Sequence, residues 1–176
     1  MQKASVSVVI ALLIGIFLDS VFFNTVNIVG IRPDALLAII VSIGFMLGGW
    51  RTALIGCITG LTVDVMFYKI VGINAALYML SGMLAGVFHR KFYADNIIVP
   101  AIVAAILSFC KETFYALFTL IRGAEFSLPL IFITYILPCA VLTGLFCLLV
   151  HLAMRPLLKK YSKKVAERDL ERNRLL

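Results

Sequence analysis

Long apolar stretches, separated by short polar turns, run along almost the whole chain. A helix of about 20 apolar residues crosses the hydrocarbon core of a bilayer, so each stretch predicts one crossing. The predicted crossings are residues 5–23, 33–49, 52–68, 71–88, 97–121 and 128–154. The second to fourth are short and tightly connected, which favours antiparallel neighbours, and Pro138 predicts a kink in the sixth. The pattern thus predicts an all-α integral membrane protein with six transmembrane helices.

The composition excludes a soluble globular protein. Of the 176 residues, 62% are hydrophobic and 14% are charged, whereas about half of a soluble domain is apolar and about a quarter is charged. The turns are too short to form a soluble domain, and the C-terminal segment is too small to build a core of its own. We therefore divide the chain into a transmembrane domain, residues 1–154, and a basic tail, residues 155–176, which looks helical.

Lysine and arginine are distributed unevenly between the two sides of the predicted bundle. With the N-terminus in the cytoplasm, twelve of these residues lie on the inner side and three on the outer side, and eight of the twelve are in the tail. Because basic residues concentrate in cytoplasmic segments, both termini are predicted to be cytoplasmic. The tail is then a helix on anionic lipid, a docking site for a partner, or a solvated extension of the sixth helix. The positive charge indicates membrane lipid and not nucleic acid.

Small residues recur at every fourth position on several predicted helices. They are Ser7, Ala11 and Gly15 in the first helix, Gly44 and Gly48 in the second, Gly56 and Gly60 in the third, and Gly82 and Gly86 in the fourth. Faces of this kind let helix backbones approach closely within a membrane. We expect the faces of the second to fourth helices to pack inside the bundle, and the face of the first helix to meet another protein.

Four ionisable residues fall at membrane depth, where a charge is costly and faces the bundle interior, a water-filled cavity or a partner. They are Asp19, Asp64, Lys111 and Glu112. The first three lie roughly 18–21 Å from the inner ends of their helices, at one level in the outer half of the bilayer. We hypothesise an intramembrane polar cluster in which Lys111 faces Asp64, Asp19 or both. It either orients the helices or binds a proton, an ion or a ligand.

The sequence contains no recognisable catalytic or metal-binding motif. His89 and His151 have no second ligand at helical spacing, and the four cysteines fall inside apolar stretches. A phosphate-binding loop and a nucleophile elbow are also missing. We therefore predict a protein that is not an enzyme and that needs no cofactor or metal.

The middle of the chain resembles a known family. Pro33 and Asp34 open an apolar run that ends at Gly48 and Gly49. The pattern continues with Gly56, Gly60, Asp64, Gly72, Asn74, Ala75, Tyr78, Gly82 and Gly86, and closes on the basic residues His89, Arg90 and Lys91. This order, over roughly residues 30–92, is similar to that of the rod shape-determining protein MreD family. The length, the number of helices and the basic tail agree with the family along the rest of the chain.

The resemblance implies a function in the bacterial cytoplasmic membrane. Members of this family are regarded as non-catalytic scaffold or regulatory subunits of the cell-wall elongation (rod shape) complex. They associate with MreC, and through it with the MreB filament, with the RodA-type glycan polymerase and with its transpeptidase. Their fold is thought to be similar to that of the S components of energy-coupling-factor transporters. The positions that carry the family motif are Pro33, Asp34, Gly56, Gly60, Asp64, Gly72, Asn74 and Gly86.

The alternative function is a substrate-binding S component of an energy-coupling-factor vitamin transporter. It predicts the same size and helix number together with a buried polar pocket. The small-residue face of the first helix suits it, because S components meet their coupling subunit through such a face. The few ligand-binding groups in the predicted outer half count against it.

Overall fold

The computed structural model describes residues 2–22, 31–68, 70–88, 97–123 and 127–174, and in this part of the chain it contains helices and no strands. Helix α1 (Gln2–Phe17) continues into a π-helical turn (Leu18–Phe22). Next come α2 (Ala35–Leu47), α3 (Gly49–Phe67), α4 (Ile73–Val87) and α5 (Ile98–Ile121). The last helical segments are α6 (Leu128–Ile131), a second π-helical turn (Phe132–Ile136) and α7 (Leu137–Arg174).

Three of the described helices are long and apolar enough to cross a membrane. These are Gly49–Phe67, Ile98–Ile121 and the segment Pro129–Pro156. The apolar segments Ser7–Ser20, Ala35–Leu47 and Ile73–Val87 are shorter. The second π-helical turn directly precedes Pro138 (the proline predicted to kink the helix), where the missing N–H group interrupts the regular ladder.

Helix α2 is the centre of the bundle. All thirteen of its residues are buried, because α1, α3, α4, α5 and α7 surround it. A helix that is apolar on every side is stable only when it is enclosed in this way. Its side chains therefore form most of the core, together with Tyr78, Ala85, Ala104 and Cys147 from the neighbouring helices.

Helices α3 and α4 form a closely packed antiparallel pair, and their glycines lie at the contact. A methyl group added at Gly60 would stand 2.6 Å from the Ala75 Cα atom, and one at Gly82 would stand 2.7 Å from the Thr52 carbonyl oxygen. Gly56 would meet the Tyr78 carbonyl group in the same way. These glycines therefore bring the two backbones together, as the spacing predicts.

Two further contacts extend this packing to α2 and to the turn that follows it. A methyl group added at Gly44 would lie 2.8 Å from the Ala85 Cβ atom, and one at Gly86 would lie 2.6 Å from the Gly48 carbonyl carbon. Gly48 itself has φ 86°, a backbone conformation that glycine adopts without strain. The turn between α2 and α3 thus lies against the end of α4.

The small-residue face of α1 turns into the bundle, which corrects the expectation that it meets another protein. Gly15 is buried, and a methyl group added there would lie 2.7 Å from Ile39 Cδ1. Ala11 packs against a second core cluster that contains Ile39, while Ser7 is half-buried. The pattern of small residues cannot distinguish a partner from the protein's own central helix, because either one needs close backbone approach.

Candidate functional site

A cavity of about 340 Å³ lies where α2 begins, and we call it the polar cavity. Side chains from the α1 turn, the segment before α2, and helices α2 to α5 line it, with one tyrosine from the second π-helical turn. The lining residues are Asp19, Ser20, Arg32, Pro33, Asp34, Leu36, Val63, Tyr68, Tyr78, Lys111, Glu112, Tyr115 and Tyr135. Charged and phenolic groups are concentrated here, in a bundle that is otherwise largely apolar.

Asp34 is the residue on which the polar cavity is built. Its carboxylate accepts a hydrogen bond from the Leu37 N–H group at 2.7 Å and so caps the N-terminus of α2. The Tyr78 hydroxyl donates to the same carboxylate at 3.2 Å, and the Lys111 ammonium group forms an ion pair with it. The Asp34 N–H group donates to Thr143 Oγ1 at 3.0 Å. One buried residue therefore ties the start of α2 to α4, α5 and α7.

The ion pair of Lys111 corrects the hypothesis about its partner. Lys111 contacts Asp34 directly, and neither Asp64 nor Asp19 is its ion-pair partner. The sequence places Asp34 at the end of a predicted crossing, as if at the surface, but α2 begins inside the bundle and the residue is only 6% exposed. Glu112 Oε1 lies 3.8 Å from the Lys111 ammonium nitrogen. Asp19, Lys111 and Glu112 line the polar cavity, whereas Asp64 is not among its lining residues.

Asp19 lines the polar cavity but is bound to backbone groups. Its two carboxylate oxygens accept hydrogen bonds from the Ala35 and Leu36 N–H groups at 2.8 and 3.0 Å. These N–H groups belong to the first turn of α2, where no backbone carbonyl can accept them. The negative charge also faces the positive end of the helix dipole. Asp19 thus attaches α1 to α2.

Asp64, in the last turn of α3, has a separate structural role. It accepts hydrogen bonds from the Gly72, Asn74 and Ala75 N–H groups at 2.8, 3.3 and 3.1 Å. The Asn74 side-chain amide donates to it as well, at 2.8 Å. Gly72 has φ 112°, which closes the turn into α4. Three positions of the family motif are therefore one unit that fixes the α3–α4 connection.

The sequence reasoning missed the aromatic part of the site. Four of the six tyrosines line the polar cavity: Tyr68, Tyr78, Tyr115 and Tyr135. The Lys111 ammonium nitrogen lies 5.0 Å from the centre of the Tyr78 ring and 5.9 Å from that of Tyr115. The negative faces of aromatic rings stabilise a cation at such distances. The available signal was that these four fall one each within four separate predicted helices.

The other candidate residues lie away from the polar cavity. His151 is buried in α7, where its Nδ1 atom is 3.0 Å from the Ser42 hydroxyl oxygen, and His89 lies outside the described residues. All four cysteines are reduced thiols. In the described part of the chain, no group of three His, Cys, Asp or Glu side chains could hold a metal ion.

Comparison with known families gives one result that covers nearly the whole molecule. The model of the rod shape-determining protein MreD family matches residues 1–161. Neither the curated proteins nor the solved structures contain a match to the chain. The match includes every residue of the polar cavity and the whole α3–α4 unit, and its description accounts for a membrane protein that determines cell shape. The chain belongs to the rod shape-determining protein MreD family.

Proposed function

We propose that this protein is a non-catalytic scaffold or regulatory subunit of the bacterial cell-wall elongation complex. In this role it binds MreC, and through MreC it is connected to MreB, to a RodA-type glycan polymerase and to its transpeptidase. The observation that carries the proposal is the family match over residues 1–161. The proposed location is the cytoplasmic membrane, with six crossings and with both termini in the cytoplasm.

Six crossings are compatible with the dimensions of the bundle, in which three helices are long enough to span a membrane and the others are shorter. Helix α2 has 13 residues and is about 20 Å long, which is shorter than the roughly 30 Å hydrocarbon core. It is enclosed by other helices and does not contact lipid, so it tolerates this difference. The polar cavity lies beyond its first residue, where it would occupy the remaining thickness on the outer side. Water and polar partner groups would then reach Asp34 from outside the cell.

The apolar outer surfaces of the longer helices support binding in the plane of the membrane. Ile58, Ile106 and Leu145 are among the large side chains that are more than half exposed on α3, α5 and α7. Such surfaces are covered by lipid or by helices of other membrane proteins. A subunit that acts by binding would use them together with the mouth of the polar cavity.

A deletion strain of the rod-shaped host tests this proposal. We expect the cells to become round or wide, to recover their shape with the wild-type gene, and to yield MreC as a co-purifying protein after gentle extraction of the tagged chain. A deletion strain that keeps its rod shape and its normal wall synthesis would contradict the proposal.

The polar cavity favours one alternative, an S component of an energy-coupling-factor vitamin transporter. Its volume of about 340 Å³ lies within the range of small-molecule sites. Equilibrium binding of vitamins to the purified chain separates the two functions. Tight and saturable binding of one vitamin, with uptake of that vitamin lost in the deletion strain, would favour the transporter.

A further inference from the structure

The polar cavity contains one carboxylate that its own protein does not neutralise fully. Of the three carboxylates in the lining, that of Asp19 is bound to the first turn of α2 and that of Asp34 is paired with Lys111. The third belongs to Glu112, whose side chain is 16% exposed. The cation within ion-pair distance of it in the described part of the chain is Lys111, at 3.8 Å, and the Lys111 ammonium group forms a closer ion pair with Asp34. Because Glu112 shares the charge of Lys111 with Asp34, a second cation beside its largely buried carboxylate would stabilise the ionised form.

The charges of the lining favour the same sign of ligand. Three carboxyl groups and two basic side chains, those of Arg32 and Lys111, line the cavity, so acidic side chains outnumber basic ones. Arg32 is exposed, and water therefore screens its charge more than that of Glu112. An entering cation would meet a net attraction, whereas an entering anion would meet the buried Glu112 carboxylate.

The phenols around Glu112 suit a nitrogen-centred cation. Tyr115 and Tyr135 line the cavity beside it, and the rings of Tyr78 and Tyr115 already hold the ammonium group of Lys111 over their faces. The Tyr115 hydroxyl group is buried and has no hydrogen-bond partner among the described residues. An ammonium or guanidinium group could donate to this oxygen and to the Glu112 carboxylate at the same time.

From these contacts we infer that the polar cavity binds an organic cation, an ammonium or guanidinium group, with Glu112 as its counter-ion and with Tyr115 and Tyr135 beside it. The group comes either from a lysine or arginine side chain of a partner protein or from a free small amine. The inference rests on the proposed orientation, in which the cavity opens outside the cell.

The binding test uses the full chain in lipid nanodiscs and three probes. These are a blocked glycine–lysine–glycine peptide, the corresponding glycine–glutamine–glycine peptide as the uncharged control, and free n-butylammonium, which reproduces the lysine side chain. Calorimetry should show saturable binding of the two cations and no binding of the glutamine peptide. A peptide that binds tenfold more tightly than n-butylammonium indicates a partner segment, and equal affinities indicate a small amine.

Two substitutions assign the binding to Glu112. Glu112→Gln should weaken binding at least tenfold, while Glu167→Gln, the same change in the tail, should leave it unchanged. Arg32→Gln, at an exposed position, should tighten binding severalfold at low salt because it removes a competing positive charge. The inference is overturned if no cation binds, if the glutamine peptide binds equally well, or if both Glu112→Gln and Arg32→Gln bind as the wild type does.

Failure of this inference can be distinguished from failure of the proposed function. If the deletion strain becomes round but no cation binds, only the ligand of the cavity is wrong. If cations bind as expected but the deletion strain remains rod-shaped, the cation site stands and the function in cell elongation does not.

Discussion

At the scale of single residues, the polar cavity depends on a carboxylate that a sequence pattern places at a surface. Asp34 follows a proline and precedes an apolar run, which is typical of the first turn of a helix at an interface. In the structure it caps α2, accepts from Tyr78 and pairs with Lys111. Hydrogen bonds to two of its neighbours offset the cost of burying both charges. The buried pair therefore determines how α2 and α5 are arranged.

The pair can be tested with a double-mutant cycle on Asp34→Asn and Lys111→Met. Each single change removes the direct ion-pair partner of one buried charge, so each should lower the free energy of unfolding by about 3–5 kcal/mol. The double variant should be less destabilised than the sum of the two, because neither member of the Asp34–Lys111 pair is left behind without the other. Reversible unfolding in mild detergent measures these differences.

Arg122→Met provides the matched control, since Arg122 is exposed and lies at the end of α5. It should change stability by less than about 0.5 kcal/mol. If the effects of Asp34→Asn and Lys111→Met simply add, the two residues do not act as a pair.

Asp64 provides a second residue-scale prediction. Asp64→Asn keeps one acceptor oxygen but loses the second and the charge, so the hydrogen bonds to Gly72, Asn74 and Ala75 cannot all be kept. We expect a loss of about 1–3 kcal/mol in unfolding free energy. Faster hydrogen exchange should be confined to the first turn of α4. Asp169→Asn in the tail is the control, and equal effects of both changes would contradict the capping role.

At the scale of elements, spacing along the chain predicted the helices and much of their packing. Helices α2 to α5 lie within or close to the predicted bounds, because apolar stretches and glycine turns are local signals. The direction of the α1 face and the partner of Lys111 were predicted wrongly. Both depend on α2 lying at the centre, with neighbours that are distant in sequence. The pattern of α2 itself, apolar on every side, would also suit a lipid-exposed crossing.

The α3–α4 contact leads to a prediction about backbone approach. Gly56→Val would place a side chain against the Tyr78 carbonyl group, where no space exists, and Tyr78 also binds Asp34. We expect a loss of more than about 2 kcal/mol in unfolding free energy, together with a weaker complex with the proposed partner MreC. Ala76→Val creates the same side chain on the exposed side of α4, by adding two carbons where Gly56→Val adds three, and should change neither property. If Gly56→Val has the unfolding free energy of the wild type and binds MreC equally well, the close approach of the two helices is not required.

At the scale of the whole molecule, α7 extends from the bundle into the basic tail as one helix, with Pro156 inside it. It runs from Leu137 to Arg174, so the segment after residue 154 continues the last long apolar helix. Five basic residues and no acidic residue fall within residues 155–164, whereas residues 165–176 contain three of each sign. The first half of the tail thus supplies the charge that would hold it at an anionic cytoplasmic surface.

The unequal halves of the tail predict how truncation affects orientation. In the proposed orientation, removing residues 155–176 leaves four inner basic residues against three outer ones, so the charge bias that favours one orientation almost disappears. Removing only residues 165–176 leaves nine against three. We expect the longer truncation to insert in both orientations and the shorter one in a single orientation with its C-terminus inside. Fusions of each end point to alkaline phosphatase, which is active outside, and to green fluorescent protein, which fluoresces inside, measure this directly.

A single orientation for both truncations would show that the first helices alone fix the topology. An active phosphatase on the full-length chain would contradict the proposed orientation and, with it, the outward opening of the polar cavity.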